Sequence, residues 1–563
     1  MPTSISQRTG AHILVDQLIV HRADRAYCVP GESYLAVLDA LHDQPDFSLV
    51  VARHEAGACN MAEAHGKLTG KPGLCFVTRG PGATHASIGI HTAMQDSTPL
   101  ILFVGQARRD MLEREAFQEL DYRAVFGSMA KWVVQLEDPQ RIPELVARAF
   151  RVATSGRPGP VVIAMPEDVL TAKAAVADAP AFVPAQSAPA AGDMERLRAI
   201  LDSARQPLII VGGSTWDAAS AQAVSDWAEA ASLPVAAAFR RQDLVDNRKP
   251  HYAGHLGIGA DARLLQRVAQ ADLLLVLGDR LAEATSQGYT AIRSPAPSQR
   301  LVHVHPDPCE IGRVFSPELG IVSGMGHFAA ALAGVKLGAR KGWRDWTAGA
   351  HEEFLAVHAR SNPADTVDLW EVIGALSEVL PDDAIVANGA GNYAGWLHAR
   401  YSHRSFGTQL APANGAMGYG IPAAIAAKHL HPTRTVVAVA GDGCFMMSAQ
   451  ELATAALHQL PIVVVVVNNG VFGTIRMHQE MHYPRRVSGT SLANPDFQLF
   501  GRSFGAHVEQ VLATKDFRPA LERAIASGRT ALIEVVCDPE RISPKATISQ
   551  LRERRREEAT VAP

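Results

Sequence analysis

The residues best able to do chemistry lie in the stretch from Val436 to Asn469. It reads VVAVA, then Gly441-Asp442-Gly443, then CFMMSAQELATAALHQL, then PIVVVVV, and ends on Asn468-Asn469. A carboxylate, an amide oxygen and a backbone carbonyl form a hard-oxygen set suited to Mg2+ or Ca2+. Glycines beside the acid let backbone N–H groups approach a phosphate, and a helix that follows turns its positive end towards it. The chemistry these residue types suggest is a metal-bridged diphosphate site. The plainer alternative is an ordinary strand–turn–helix corner, because lone Gly-Asp-Gly triplets are common; the paired asparagines favour the site.

The first run is continuously apolar, as in a strand buried on both faces of a parallel sheet, and Ile462 to Val467 form a second. Between them Ser448 to Leu460 show helical spacing, with Leu452, Ala455, Ala456 and Leu460 on one face. In such a unit ligands bind beyond the carboxyl ends of the strands. Asp442 and Asn469 are therefore expected near each other although 27 positions apart.

With 563 residues the chain is too long for one core, and about three domains are expected. A hydrophobic content of 47% and a charged content of 20% are those of a soluble globular protein. The net charge of −4 gives no reason to expect nucleic acid or a membrane surface as partner. Six scattered cysteines without a CxxC pair read as reduced, mostly buried thiols. The N-terminus has no apolar signal core and no run approaches membrane-spanning length, so a cytoplasmic protein is expected.

Alternation of strands and helices predicts three doubly wound parallel-sheet α/β domains, over residues 1–174, 195–337 and 367–545. In the first, strands are expected at Ala26–Val29, Leu49–Ala52, Leu74–Thr78, Leu100–Val104 and Val161–Ala164. In the second they fall at Pro207–Val211, Pro234–Ala238, Leu273–Leu277 and Leu301–His305. Residues 171–194, rich in alanine and proline, read as a linker. Residues 338–366 read as a second connection, with charged helix and a break at Ser361-Asn362-Pro363. The charge run from Leu551 reads as a frayed, solvated helix.

Gly-Asp-Gly, 24 residues and Asn-Asn resemble the thiamine diphosphate motif, and the order of motifs resembles the acetolactate synthase-like branch of thiamine diphosphate enzymes over about 530 residues. RHEAGACNMAEAHGKLTGKPG, RGPGATH, AFQELD, GPVVIAMPEDV and GAMGYGIPAAIAAK carry the match. The resemblance implies a pyrimidine-binding, a central and a diphosphate-binding domain. It implies that Asp442, Asn469 and the Val471 carbonyl hold Mg2+. Pro30, Asn392, Tyr393 and Met417 would contact the cofactor, as would Gly441, Gly443, Cys444, Phe472 and Gly473. Met417 would prop the cofactor into its bent shape, the alternative being a core methionine. The cofactor supplies an ylid that adds to a carbonyl and then acts as an electron sink. Glu55 would drive its formation by hydrogen bonding to the pyrimidine ring nitrogen; an acid favouring the start of its helix is the alternative. In the family that glutamate reaches the partner subunit's cofactor, so a dimer or tetramer is implied.

Four departures from the synthase pattern bear on substrate and on FAD. His478 stands where synthases carry tryptophan, in GVFGTIRMHQEMHYPRR. Glu32 follows Pro30-Gly31 and either relays protons to an intermediate or is an exposed helix-start acid. Arg79 either holds a substrate carboxylate or phosphate or makes a surface ion pair. The central segment Gly278-Asp279-Arg280-Leu281-Ala282-Glu283 keeps the arginine but not the paired aspartates that contact flavin, which weighs against FAD; Gly212-Gly213 after a strand is weak evidence for a nucleotide. Lys131 matches a synthase lysine, though an exposed helix lysine would look the same.

The expected function is decarboxylation of a 2-oxo acid with acyl transfer to a second carbonyl, Gln118 positioning the acceptor. The alternatives are a non-ligating decarboxylase, with Glu32 or a histidine as acid, and a lyase of a 2-hydroxyacyl thioester or diketone. Selectivity is assigned to Arg79, Glu32, Phe472, Ile475 and His478.

Overall fold

The computed structural model describes residues 6–338, 340–359 and 366–561, with side chains to 556. The Ser361-Asn362-Pro363 break lies outside the described residues. Three six-stranded, wholly parallel sheets carry the chain, interleaved with helices. A short antiparallel pair, Arg8–Thr9 with Lys173–Ala174, is the only other sheet among the described residues.

The first sheet runs, edge to edge, Ser48–Val51, Arg25–Cys28, Gly73–Val77, Leu100–Gln106, Pro160–Pro166, Trp132–Gln135. In chain order that is 2-1-3-4-6-5. The third sheet repeats the same order with Gln409–Leu410, Ile385–Asn388, Val436–Gly441, Val463–Asn468, Ala531–Val536 and His507–Val511. The middle sheet differs. Its order is Tyr252–His255, Val235–Ala237, Pro207–Val211, Leu273–Leu277, Arg300–His305, Leu319–Val322, or 3-2-1-4-5-6.

The strand order locates the sites, because a parallel sheet leaves a crevice where the order reverses. In the first sheet that point lies between Arg25–Cys28 and Gly73–Val77, and in the third between Ile385–Asn388 and Val436–Gly441. The central strands read as near-continuous apolar runs because both faces are covered, and Leu100–Gln106 and Pro160–Pro166 are buried throughout.

The described residues fall into two compact units. One runs to Gln186 and includes Ile425–Leu430; the other holds Ser187–Ala424 and the residues from His431 on, and so contains both the middle and the third sheet. A buried polar network ties those two sheets. The Gln242 backbone N–H donates to Gln409 Oε1 at 2.7 Å and its amide donates to the His398 carbonyl at 2.9 Å. Asn247 and His403 exchange two bonds of 2.9 Å, and Arg240 donates to the carbonyls of Pro412 and Gly389.

Several sequence expectations need correction. The helix expected at Ser448–Leu460 is reduced to a 3-10 turn at Ala449–Glu451 and a short helix Leu452–Leu457, and a separate four-residue helix, Asp442–Phe445, precedes it. Glu451 is fully buried there and accepts from Thr454 Oγ1, on the helix that follows, at 2.6 Å. The four-residue helix at Asp442 is too short to carry the dipole expected of it. The linker is shorter than expected: Lys173–Ala174 is paired and a helix starts at Ala191. Trp132–Gln135, Tyr252–His255 and Leu319–Val322 were not anticipated; the first is a half-exposed edge strand and the others contain glycine. Lys131 is not on a helix. It precedes the edge strand, and its Nζ donates to the carbonyls of Val152, Ser155 and Arg157 at 2.6–2.7 Å, closing the end of the helix Ile142–Thr154.

Candidate active site

In the first unit, loops after four strands converge. Pro30-Gly31-Glu32 follows Arg25–Cys28 and abuts Thr78: a Cβ on Gly31 would lie 2.5 Å from that of Thr78. Ser33 Oγ and Thr78 Oγ1 share a hydrogen bond of 3.0 Å. Gly80 N–H donates to the Gln118 carbonyl at 2.9 Å, which fixes the Phe117-Gln118 loop on the next strand end. Gln118 holds a left-handed φ of 64°, a strained conformation for a non-glycine residue, and Phe117 is 70% exposed.

Glu55 opens the helix Glu55–Thr69, whose cap is His54: the His54 ring accepts the Ala56 N–H at 3.1 Å. Glu55 is thus the first helical residue, and capping by a side chain is done by its neighbour. Its carboxyl, 13% exposed, meets His85 Nδ1 at 2.9 Å, and the rings of His54 and His85 stack 4.5 Å apart. Burial, then the neighbouring His85, holds the His54 imidazole below its ordinary value. Ligand atoms of His54, Glu55 and His85 lie within 4.8 Å of one another.

Arg79, by contrast, is already engaged. It pairs with Glu167 and donates to the Phe117 carbonyl at 3.3 Å, so a substrate anion would have to compete for it. Glu32 is exposed in a 3-10 turn.

In the second unit the third sheet assembles the other set. Val436–Gly441 and Val463–Asn468 are adjacent in parallel register, which brings Asp442 to Asn469. Asp442 is 2% exposed; its Oδ1 accepts the Gly443 N–H and its Oδ2 the Gly470 N–H, both at 2.8 Å. Burial pushes its carboxyl above the usual range against these bonds. No lysine or arginine pairs with it among the described residues. Gly470 takes a φ of 67°, turning the chain so that residues 470–472 pair with 490–492, through Leu492 N–H to the Gly470 carbonyl and Phe472 N–H to the Thr490 carbonyl, each 2.8 Å. That pairing fixes Val471 beside Asn469, whose Oδ1 accepts the Val471 N–H at 3.3 Å.

The glycines of the triplet have a visible packing cause. A Cβ on Gly441 would lie 2.9 Å from the Tyr393 ring and one on Gly443 2.6 Å from that of Phe472. Tyr393 is buried, its hydroxyl accepting the Gly389 N–H at 3.0 Å and donating to Cys444 Sγ at 3.4 Å. Cys444 Sγ also accepts the Gly418 N–H at 3.3 Å, next to Met417, which is half-buried. Tyr393 and Cys444 therefore hold the loops around the site together. Asn392 reaches the start of the helix Gly473–His482, accepting from Thr474 Oγ1 at 2.9 Å and donating to the Ile542 carbonyl at 2.8 Å. Ile475 and His478 lie exposed on one face of that helix.

Comparison with known proteins gives the arrangement its family. Family models described as the N-terminal TPP binding domain, the central domain and the C-terminal TPP binding domain of thiamine pyrophosphate enzymes match residues 8–125, 194–332 and 389–535. The acetolactate synthase large subunit of Corynebacterium glutamicum is 31% identical over 533 residues, covering 92% of this chain and 84% of the relative. The chain belongs to the acetolactate synthase-like thiamine pyrophosphate enzymes. The large subunit of acetolactate synthase isozyme 1 of Escherichia coli is 31% identical over 545 residues, 96% of each chain. The mitochondrial acetolactate synthase of Schizosaccharomyces pombe is 29% identical over 571, covering 96% of this chain and 85% of the relative. As a thiamine pyrophosphate (thiamine diphosphate) enzyme of the carboligase type, this protein divides its candidate residues between two sheets of identical strand order.

The middle sheet has the strand order that elsewhere binds dinucleotides. At its switch point the backbone of Gly213 packs on the Gly278 carbonyl, and a Cβ on Gly212 would lie 2.6 Å from Asp279 Oδ2. Asp279 accepts the Leu281 N–H at 2.7 Å and is pushed up by burial. The glycine pair thus serves close approach of two strand ends. No described helix is long and apolar enough to cross a membrane.

Sequence reasoning gave no role to His85, Asn494 or Glu534, and took Asn468 only as one of the paired asparagines. His85 stood at the end of the matched RGPGATH, but helical spacing alone does not aim a ring at a residue 30 positions away. Asn494, in Asn494-Pro495-Asp496, lies outside every motif that the sequence offered.

Proposed function

We propose that this enzyme decarboxylates a 2-oxo acid and transfers the acyl unit to a second carbonyl, using thiamine diphosphate held through Mg2+. The observation that carries the reading is the buried Asp442 carboxylate, without a cationic side chain of its own among the described residues and next to Asn469. A buried carboxylate is costly unless paired or bound to a metal, and this donor set suits a hard divalent ion. Asp442, Asn469 and the Val471 carbonyl would hold the ion. Gly441, Gly443 and Asn392 would face the diphosphate, and Met417 the ring system.

When bound, the cofactor supplies a nucleophilic carbon and stores the electron pair left by CO2. Glu55 would hold or release a proton at its carboxyl against the pyrimidine nitrogen, in the shelter its 13% exposure gives. Gln118, fixed by Gly80, would orient the acceptor carbonyl. Ile475, His478 and Phe472 would set substrate selectivity, with Glu32 as a further candidate, and Pro30 would contact the cofactor. Family resemblance has Glu55 serving a partner's cofactor, so the working unit is at least a dimer.

Product analysis with pyruvate, thiamine diphosphate and Mg2+ tests the reaction. Acetolactate is expected. Acetaldehyde as sole product would mean simple decarboxylation, and no CO2 from any 2-oxo acid would overturn the reading in favour of thioester or diketone cleavage.

A further inference from the structure

We propose that His85 is a positioning residue for Glu55 and its route for proton exchange with solvent; this rests on the role given to Glu55 above. His85 lies on the helix Gly80–Asp96, and its Nδ1 meets Glu55 Oε2 at 2.9 Å. Its ring is held from the other side by His54, stacked at 4.5 Å and 29° and itself fixed as the cap of the Glu55 helix. The other carboxyl oxygen, Oε1, lies 3.5 Å from where a Cβ on Gly82 would stand, so glycine there leaves that oxygen room for a ligand. One oxygen is thus occupied and the other is open.

Exposure runs the same way. The Glu55 side chain is 13% exposed and that of His85 53%. A sheltered carboxyl that must change its proton load each cycle needs an exchange partner, and imidazole is the group whose charge changes near neutral pH. The step balances: neutral His85 with its proton on Nδ1 takes a proton from a solvent acid on Nε2 and passes the Nδ1 proton to Glu55 Oε2, leaving the neutral Nε2–H tautomer. The return runs in reverse. A cation held by His54, Glu55 and His85 would occupy the same carboxyl and block this role.

The test is hydrogen–deuterium exchange at C2 of bound thiamine diphosphate in the holoenzyme, read by acid quench and NMR without substrate. His85→Asn keeps a donor but cannot shuttle protons. It is expected to slow exchange by about 10- to 100-fold. His85→Ala should slow it similarly and recover with added imidazole. Unfolding temperature and cofactor affinity should stay near wild type in both. Exchange in His85→Asn within about 3-fold of wild type, or loss in His85→Ala without imidazole rescue, would overturn the proposal. Glu55→Gln separates the two claims: slow exchange there with normal His85→Asn sinks only this inference, whereas normal exchange in Glu55→Gln sinks the role of Glu55 itself.

Discussion

Asn494 donates from one amide nitrogen both to Asp442 Oδ2, at 2.8 Å, and to Asn468 Oδ1, at 2.9 Å. Asn468 in turn donates to Glu534 Oε1 at 2.7 Å, and Glu534 Oε2 accepts from Gln510 at 3.0 Å. The carboxylate proposed as metal ligand is therefore aimed by a chain of amides that ends on a buried acid. Such outer partners commonly change metal affinity by 10- to 100-fold. Asn494→Ala should weaken Mn2+ binding by about that factor in the thiamine diphosphate complex, measured by electron paramagnetic resonance. Asp442→Ala should abolish it. Equal affinity in Asn494→Ala would show that Asp442 needs no such support.

Acid should destabilise the protein through its buried histidines. Burial holds His251, His305 and His403 at about 4, against an ordinary 6.5. The unfolded chain takes up these protons first, so the stabilising contribution is complete above pH 6.5 and is lost as pH falls towards 4. At pH 5 the loss is about 2 kcal/mol for each histidine. Denaturant unfolding at pH 7.5 and pH 5 checks this; equal midpoints would contradict it.

The C-terminal helix Ile548–Val561 is clamped. Glu480 is fully buried on the helix Gly473–His482 and accepts two bonds from Arg552, at 2.7 and 2.8 Å, and one from Arg476 at 3.0 Å. Arg552 foremost holds the Glu480 carboxyl down at about 2, so this clamp weakens only as pH falls from about 4.5 towards 2. Removing one partner of a buried pair typically costs 3–5 kcal/mol; with Arg552 part-exposed, about 2 kcal/mol is expected for Arg552→Ala. Proteolysis should then cut within residues 548–556 first. A cleavage pattern like that of wild type would contradict the clamp.

Much of this was legible because patterns with one physical meaning carried it. Leu273–Leu277 and Pro207–Val211 fell where their apolar runs end, since a strand covered on both faces tolerates little else. Asp442 and Asn469 were legible because parallel strands put their loops on one edge. What sequence could not give was side-chain direction. Arg79 read equally as anion holder or ion-pair member, and Glu167, which engages it, lies 88 positions on. The Leu551 tail read as solvated, yet Arg552 binds a buried acid. Ser448 to Leu460 read as one continuous helix, because apolar spacing persists past the 3-10 turn at Ala449–Glu451.

The most direct measurement is CO2 release from a panel of 2-oxo acids by wild type and Glu55→Gln, each with thiamine diphosphate and Mg2+ bound at saturation. Turnover by the wild type with a loss of at least about 100-fold in Glu55→Gln is the predicted result. Full turnover in Glu55→Gln would contradict the assignment of this carboxyl as the group that activates the cofactor.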